Sequence, residues 1–219
     1  DLTYLNLSYN NISDISDLQS LDNLYLVQLH MNNITNIQAL RNKNNLYFAN
    51  LGHNNIVDIT PLNTSPILFY LYLSENPLNS TSVNYIKTLS HLRGLLLSGI
   101  ELNNIDFLST FNDLIYLYLD NTNINDISPL SNMPELMYLS LSNNRIRDIS
   151  SLQNLTNLFR VYLDSNSIED ISPLITNLDY SSLNFLYLQY NNLNLDPGDI
   201  DYQNIQTLIN YGVNVLYEP

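Results

Sequence analysis

The side chains able to do chemistry in this chain are few and widely spaced. Cysteine is absent, which removes thiolate nucleophiles, Cys-based zinc sites and disulfides together. The histidines are His30, His53 and His91, and no serine elbow, phosphate-binding loop or metalloprotease pattern occurs. Two groups have the donor types of a cation site. His30, His53 and Glu75 offer nitrogen and oxygen, and Asp120, Asn121, Asn143 and Asp164 offer the oxygens that suit Ca²⁺. Chance placement on an exposed face accounts for both groups, so no catalytic residue, metal or cofactor is expected. A second carboxylate series, Asp14, Asp58, Asp126, Asp148 and Asp170, has Ser or Thr two residues later. A short Asp there can accept from the backbone of the turn it opens, and Pro61, Pro129 and Pro173 fix the dihedral that follows. These carboxylates lie in turns and offer no paired acids across a cleft.

Charge narrows the partners. With 21 acidic against 7 basic residues the net charge is −14, which repels nucleic acid and anionic membrane surfaces alike. No apolar run reaches the length needed to span a bilayer. Two residue types are in excess: 37 Asn and 17 Tyr among 219 residues. The six Asn-x-Ser/Thr sequons are no more than these Asn and hydroxyl contents give by chance, so they carry no information about secretion.

The Asn and Tyr excesses have their origin in a repeat. The pattern L-x-x-L-x-L-x-x-N-x-I starts at Leu2, Leu24, Leu46, Leu68, Leu92, Leu114, Leu136, Leu158 and Leu183. The period is 22 residues, with two extra residues after the fourth copy and three after the eighth; these are expected as bulges in turns. The corner position reads Asn10, Asn32, Asn54, Asn76, Ile100, Thr122, Asn144, Asn166 and Asn191. A side-chain amide at a corner both donates and accepts, and so satisfies backbone groups of its own turn and of the next. Ile100 cannot do this, and residues 76–105 are therefore expected to be least regular. Within them Val83, Ile86 and Leu89 predict one or two helical turns over 81–89 with Ser80 as N-cap. Elsewhere the three-residue spacing after the corner, as in Ile124, Ile127 and Leu130, suits an extended or 3₁₀ return.

These repeats resemble the leucine-rich-repeat family, in particular its 22-residue class of bacterial internalins and a eukaryotic phosphatase regulatory subunit. Asp126-Ile127-Ser128-Pro129-Leu130 and Asp170-Ile171-Ser172-Pro173-Leu174 look very like internalin repeats. The resemblance implies an α/β-type repeat solenoid: a curved rod with a parallel β-sheet on its concave face and short 3₁₀ or extended convex segments. Residues 1–195 hold the nine repeats, 196–217 read as a C-terminal cap of helix plus last strand, and 218–219 as the start of a linker. In the cap, Ile200, Ile205, Leu208 and Ile209 have helical spacing and Gly212 suits the helix stop. The chain opens inside a repeat, where internalins carry a helical cap. A fragment of a longer polypeptide is expected, or self-association through an edge formed by Leu2, Leu5 and Leu7.

With the register fixed, the residues flanking the second Leu of each copy point into the concavity. Ten of these eighteen are aromatic: Tyr4, Phe48, Tyr70, Tyr72, Tyr116, Tyr118, Tyr138, Tyr162, Phe185 and Tyr187. Tyr combines rigid contact area with a polar tip, as in paratopes. Strand propensity alone would also place Val, Ile and Thr there, and none appears. A binding surface is therefore favoured over mere cross-strand stacking. A parallel stripe, Tyr25, Tyr47, Phe69, Ile115, Met137 and Phe159, is either packing along one rim or a second contact edge. The expected function is a non-catalytic protein-binding module, internalin-like, on a bacterial cell surface or secreted. The alternatives are a glycan-binding module, an intracellular regulatory scaffold like the phosphatase subunit, and a self-associating spacer.

Overall fold

A computed structural model describes residues 2–102, 104–175 and 182–218. The chain divides into two compact units, Asp1–Ile100 and Glu101–Pro219. The first holds β1 (Tyr4–Asn6), β2 (Leu26–Gln28), β3 (Phe48–Asn50), β4 (Tyr70–Tyr72), α1 (Ser80–Ile86) and β5 (Gly94–Leu96). The second holds β6 (Tyr116–Tyr118), β7 (Tyr138–Ser140), β8 (Arg160–Tyr162), β9 (Phe185–Tyr187), α2 (Ile200–Asn210) and β10 (Asn214–Leu216). Within each unit the strands pair in parallel with their sequence neighbours, in the register the repeat dictates: Leu5 faces Val27, Ala49 faces Leu71, and Leu139 faces Val161. Most returns are single 3₁₀ turns, such as Ser128–Asn132, with Pro61, Pro129 and Pro173 in their first turns.

The core is a stack of Leu and Ile layers. Leu29, Leu51, Leu73, Leu119, Leu141 and Leu163 are fully buried, as are Ile34, Ile56 and Ile146 from the corners. Burying every corner would strand its backbone groups, and the Asn column prevents this. Asn54 donates to the carbonyls of Leu29 (3.0 Å), Leu51 (3.0 Å) and Gly52 (3.2 Å), and its Oδ1 accepts from Ile34 N at 2.9 Å. Asn32, Asn76, Asn166 and Asn191 repeat the pattern, each accepting from an Ile amide of the preceding copy. Asn144 accepts from Thr122 N and Oγ1 as well as Ile124 N. Asn10 is exposed, and its side chain donates to the carbonyls of Leu7 and Ser8.

The two departures in the column are bridged locally. Opposite Ile100 the amide of Leu78 turns to the carbonyl of Asn76 at 2.9 Å. Thr122 substitutes in part: its hydroxyl donates to Leu119 O at 2.8 Å, and its own carbonyl takes the Leu102 amide at 3.1 Å. The boundary between the units falls in this stretch. The two residues inserted after the fourth copy do not bulge a turn; they extend the return into α1. Its N-cap is Asn79 rather than Ser80, with Asn79 Oδ1 accepting from Ser82 N at 2.8 Å. An Asn outcompetes a Ser one position later because its carbonyl reaches the third amide of the helix. Ser82 is buried instead, donating to Val57 O and accepting from Ile59 N. The three residues inserted after the eighth copy and Pro219 of the linker fall largely or wholly outside the described residues.

The Asp series does what its spacing predicts. Asp14, Asp58, Asp126, Asp148 and Asp170 each accept from the amide two residues on, at 2.7 to 2.9 Å. Bonds from Ser150 hold the Asp148 carboxyl below the usual carboxylate range. Asn36 and Asn104 play the same part at the equivalent position, so the device needs the Oδ1 acceptor and not the charge. In α2, Ile205 and Leu208 are fully buried. Ile200 is 60% exposed and Ile209 38%, so the helical spacing of the four apolar residues does not place all of them in the core. Asp201 is buried in α2, where its Oδ1 accepts from Ile171 N at 3.2 Å.

Asn54→Ala is expected to cost about 2–4 kcal/mol, because it leaves a buried amide and carbonyls unpaired, whereas Asn10→Ala costs well under about 1 kcal/mol; urea unfolding of the two variants checks this. Burial, followed by the nearby Asp170 and Asp199, raises the Asp201 carboxyl above its unfolded value despite the Ile171 bond. Its favourable contribution is therefore full below the unfolded pKa and is lost as pH rises through the folded one. Asp201→Asn keeps the acceptor and is expected to raise Tm at pH 7, with the gain shrinking toward pH 4 in thermal melts.

Candidate binding face

The solvent side of each sheet is built by strand alternation. The central residue of every strand enters the core, and the two flanking residues face outward. In the first unit this face carries Tyr4, Phe48, Tyr70 and Tyr72; in the second it carries Tyr116, Tyr118, Tyr138, Tyr162, Phe185 and Tyr187. They are not fully exposed, as the sequence suggests. Tyr4 is 56% exposed, while the other nine are half-buried: seven of them meet another ring of the face, and Phe185 is covered by Arg160.

Tyr116 and Tyr138 stack at 4.7 Å with planes 11° apart, and Tyr162 and Tyr187 at 4.4 Å and 19°. Phe48 meets Tyr72 edge-on at 5.0 Å. Gly94 provides the floor for Tyr70: a Cβ there would stand 2.6 Å from Tyr70 Cδ1. Arg160 lays its guanidinium on the Phe185 ring at 4.4 Å. Burial, then Tyr162 and Asp120, raise the Tyr118 phenol above its ordinary value, so it remains a protonated donor.

The second aromatic stripe is largely packing. Tyr25 stacks on Tyr47 at 4.9 Å and 7°, Tyr47 meets Phe69 at 5.4 Å, and Phe69 meets His91 edge-on at 5.9 Å. Arg93 covers Phe69 from 5.1 Å.

The position before each corner has a feature the sequence pattern does not announce. Tyr9, Met31, His53, Glu75, Gly99, Asn121, Asn143, Ser165 and Tyr190 all have φ between 51° and 75°. This left-handed backbone favours Gly or Asn, yet the first four copies carry Tyr, Met, His and Glu, and Tyr9 is 73% exposed. At Gly99 a Cβ would meet only the carboxylate end of the exposed Glu75 side chain, which can swing aside, so the backbone conformation is what favours glycine there.

Members of both candidate cation groups are engaged by neighbouring side chains. His30 Nδ1 is bonded to Ser8 Oγ at 2.8 Å and its ring meets Tyr9 edge-on at 4.9 Å. Burial, and then His53, lower its pKa. Among the described residues no three His, Asp or Glu gather closely enough to hold a metal ion. Asp120 instead accepts from Ser140 Oγ and from Ser142 N, and Asp164 from Ser142 Oγ at 2.6 Å. A polar hollow of about 370 Å³ lies on the 3₁₀ side of the first unit, walled by Asp14, Gln19, Asp22 and Arg41. Beside it Lys43, 1% exposed, donates to Gln19 O at 2.8 Å; nothing in the repeat pattern marks this buried lysine.

Comparison with known proteins places these features. The family profile described as Leucine Rich repeats (2 copies) matches residues 134–180, and that described as Leucine Rich Repeat matches residues 1–24. No curated protein matches the sequence. Among solved structures, internalin C2 of Listeria monocytogenes is similar at 29% identity and a TM-score of 0.75, over 87% of this chain and 78% of that one. The internalin inlF of the same organism gives 23% and 0.75, over 98% of this chain and 66% of that one. The Arabidopsis receptor kinase HAESA, in complex with the peptide hormone IDA and the co-receptor SERK1, gives 21% and 0.71, over 87% of this chain. The last two are likenesses of fold. The chain spans 66% of inlF and 34% of the HAESA chain. Strand register, corner ladder and both sets of matches agree: the chain is a leucine-rich-repeat protein of the 22-residue, internalin-like class.

Proposed function

We propose that the chain is a non-catalytic protein-binding module whose contact surface is the aromatic face of its sheets, and that it is part of a larger bacterial surface or secreted protein. One observation carries the first half: seven of the ten rings meet another ring of the face, four of them in stacked pairs, before any partner arrives. Association then costs little side-chain entropy, which otherwise consumes roughly 0.5–1.5 kcal/mol per ordered side chain. The likeness to internalin C2 supports the surface role, and the peptide and co-receptor bound by HAESA support a polypeptide partner. A glycan partner is less well served. Sugar rings stack on free aromatic faces, and here Tyr116 and Tyr138 at the centre of the row have spent a face on each other.

Random peptides selected by display against the full chain are expected to converge on this face. Most should lose at least tenfold in affinity for a Tyr116→Ser/Tyr118→Ser/Tyr138→Ser variant that keeps the far-UV circular dichroism of the parent. Ligands indifferent to the triple change contradict the reading, as does a glycan array with strong hits. Gly94→Ala is expected to cost about 1–3 kcal/mol by overpacking against the Tyr70 ring. The cost should vanish in a Tyr70→Ala background, as a double-mutant cycle of unfolding free energies would show.

A further inference from the structure

Resting on that reading, we infer that the aromatic face of the second unit recognises a basic polypeptide segment, whose Arg side chains lie over Tyr118 and Tyr162 and reach the carboxylates of Asp120 and Asp164.

The charge of the chain is unevenly placed. Residues 101–219 contain 15 acidic and 3 basic side chains, so 12 of the 14 excess negative charges belong to the second unit. Asp120 and Asp164 bring part of that charge to the aromatic face. Each stands two residues after a face tyrosine, Tyr118 and Tyr162 respectively, and strand alternation puts carboxylate and ring on the same side. The carboxylates are also aimed. Ser140, which lies between Tyr118 and Tyr162 in register, donates to Asp120, and Ser142 bonds both acids. These donors hold each group through Oδ1.

The chain itself shows what the rings accept. Arg160 rests on Phe185 at 4.4 Å, and in the first unit Arg93 covers Phe69 at 5.1 Å. A guanidinium on an aromatic ring is thus a contact this surface already makes once, and the chain makes it again on the packing stripe of the first unit. Arg160 is also the positive charge on the face itself, close enough to act on Tyr118. It occupies the Phe185 ring, so the rings left for an incoming cation are those of Tyr118 and Tyr162, each with a carboxylate two residues on that offsets the Arg160 charge. Cation–π contact and carboxylate pairing act together there.

The test uses fluorescent (Ser-Arg)₆, (Ser-Gln)₆ and (Ser-Glu)₆ peptides and the full chain at physiological salt, read by anisotropy. The Arg peptide is expected to bind at least tenfold tighter than the Gln peptide. Asp120→Asn/Asp164→Asn, which keeps the Oδ1 acceptors, should lower its affinity about tenfold, and so should Tyr118→Leu/Tyr162→Leu, which keeps apolar area but removes the π face. Asp113→Asn/Glu135→Gln removes the same charge from exposed loop positions before the strands and should change affinity less than twofold. Equal losses from the two acidic pairs would reduce the effect to bulk charge and overturn the inference. Equal binding of Arg and Gln peptides, still lost in the Tyr variant, would overturn the basic partner while leaving the aromatic face as a binding site. Binding untouched by the Tyr variant would count against both, and no binding of the Arg peptide would overturn the inference.

Discussion

Every repeat turns its backbone through a buried corner, and the structure depends on what satisfies the polar groups stranded there. A strand and its return leave amides and carbonyls facing a core of Leu and Ile, where an unpaired group costs about 1–3 kcal/mol. One Asn side chain answers for three carbonyls and one amide at once, and it spans two copies in doing so. The corner amide therefore ties each repeat to its neighbour as well as closing its own turn. Stability built this way passes from neighbour to neighbour, and where Ile100 breaks the ladder the chain falls into two units.

The same constraint produces the surface. Because the corners fix the register, residues 22 apart sit side by side across the sheet, and any side chain repeated at that spacing becomes a row. Tyr and Phe placed in the outward positions of consecutive copies cannot avoid meeting. They stack, lose their freedom and stand as an ordered face before any contact is made. Glycine at 94 and serine at 140 break the rows where a ring needs room or a carboxylate needs a donor.

Much of this was legible in the sequence, because a repeat reports its own geometry. Leu spacing gave strand register, the Asn column gave the hydrogen bonds of the corners, and the Asp series gave the turn acceptors. The features that escaped it arise from competition between neighbouring residues or from contacts that no period encodes. Asn79 displaced Ser80 as helix cap because the two compete for one amide. The outward tyrosines proved half-buried, since exposure depends on the neighbour's ring as much as on the residue's own direction. The left-handed backbone at Tyr9, Met31, His53 and Glu75 was hidden because those residue types do not advertise it. Lys43 was likewise invisible because its partner lies outside its own column, and the Arg160–Phe185 contact because it joins two unlike side chains within one column.

Amide hydrogen exchange followed by NMR tests the corner ladder most directly. The amides of Ile34, Ile56 and Ile146 have side-chain Asn oxygens as their acceptors. They should exchange as slowly as those of Leu29, Leu51 and Leu141, whose acceptors are backbone carbonyls of the next strand. Exchange at the rate of open loop amides would contradict the account, because it would mean that the corners are closed by packing alone.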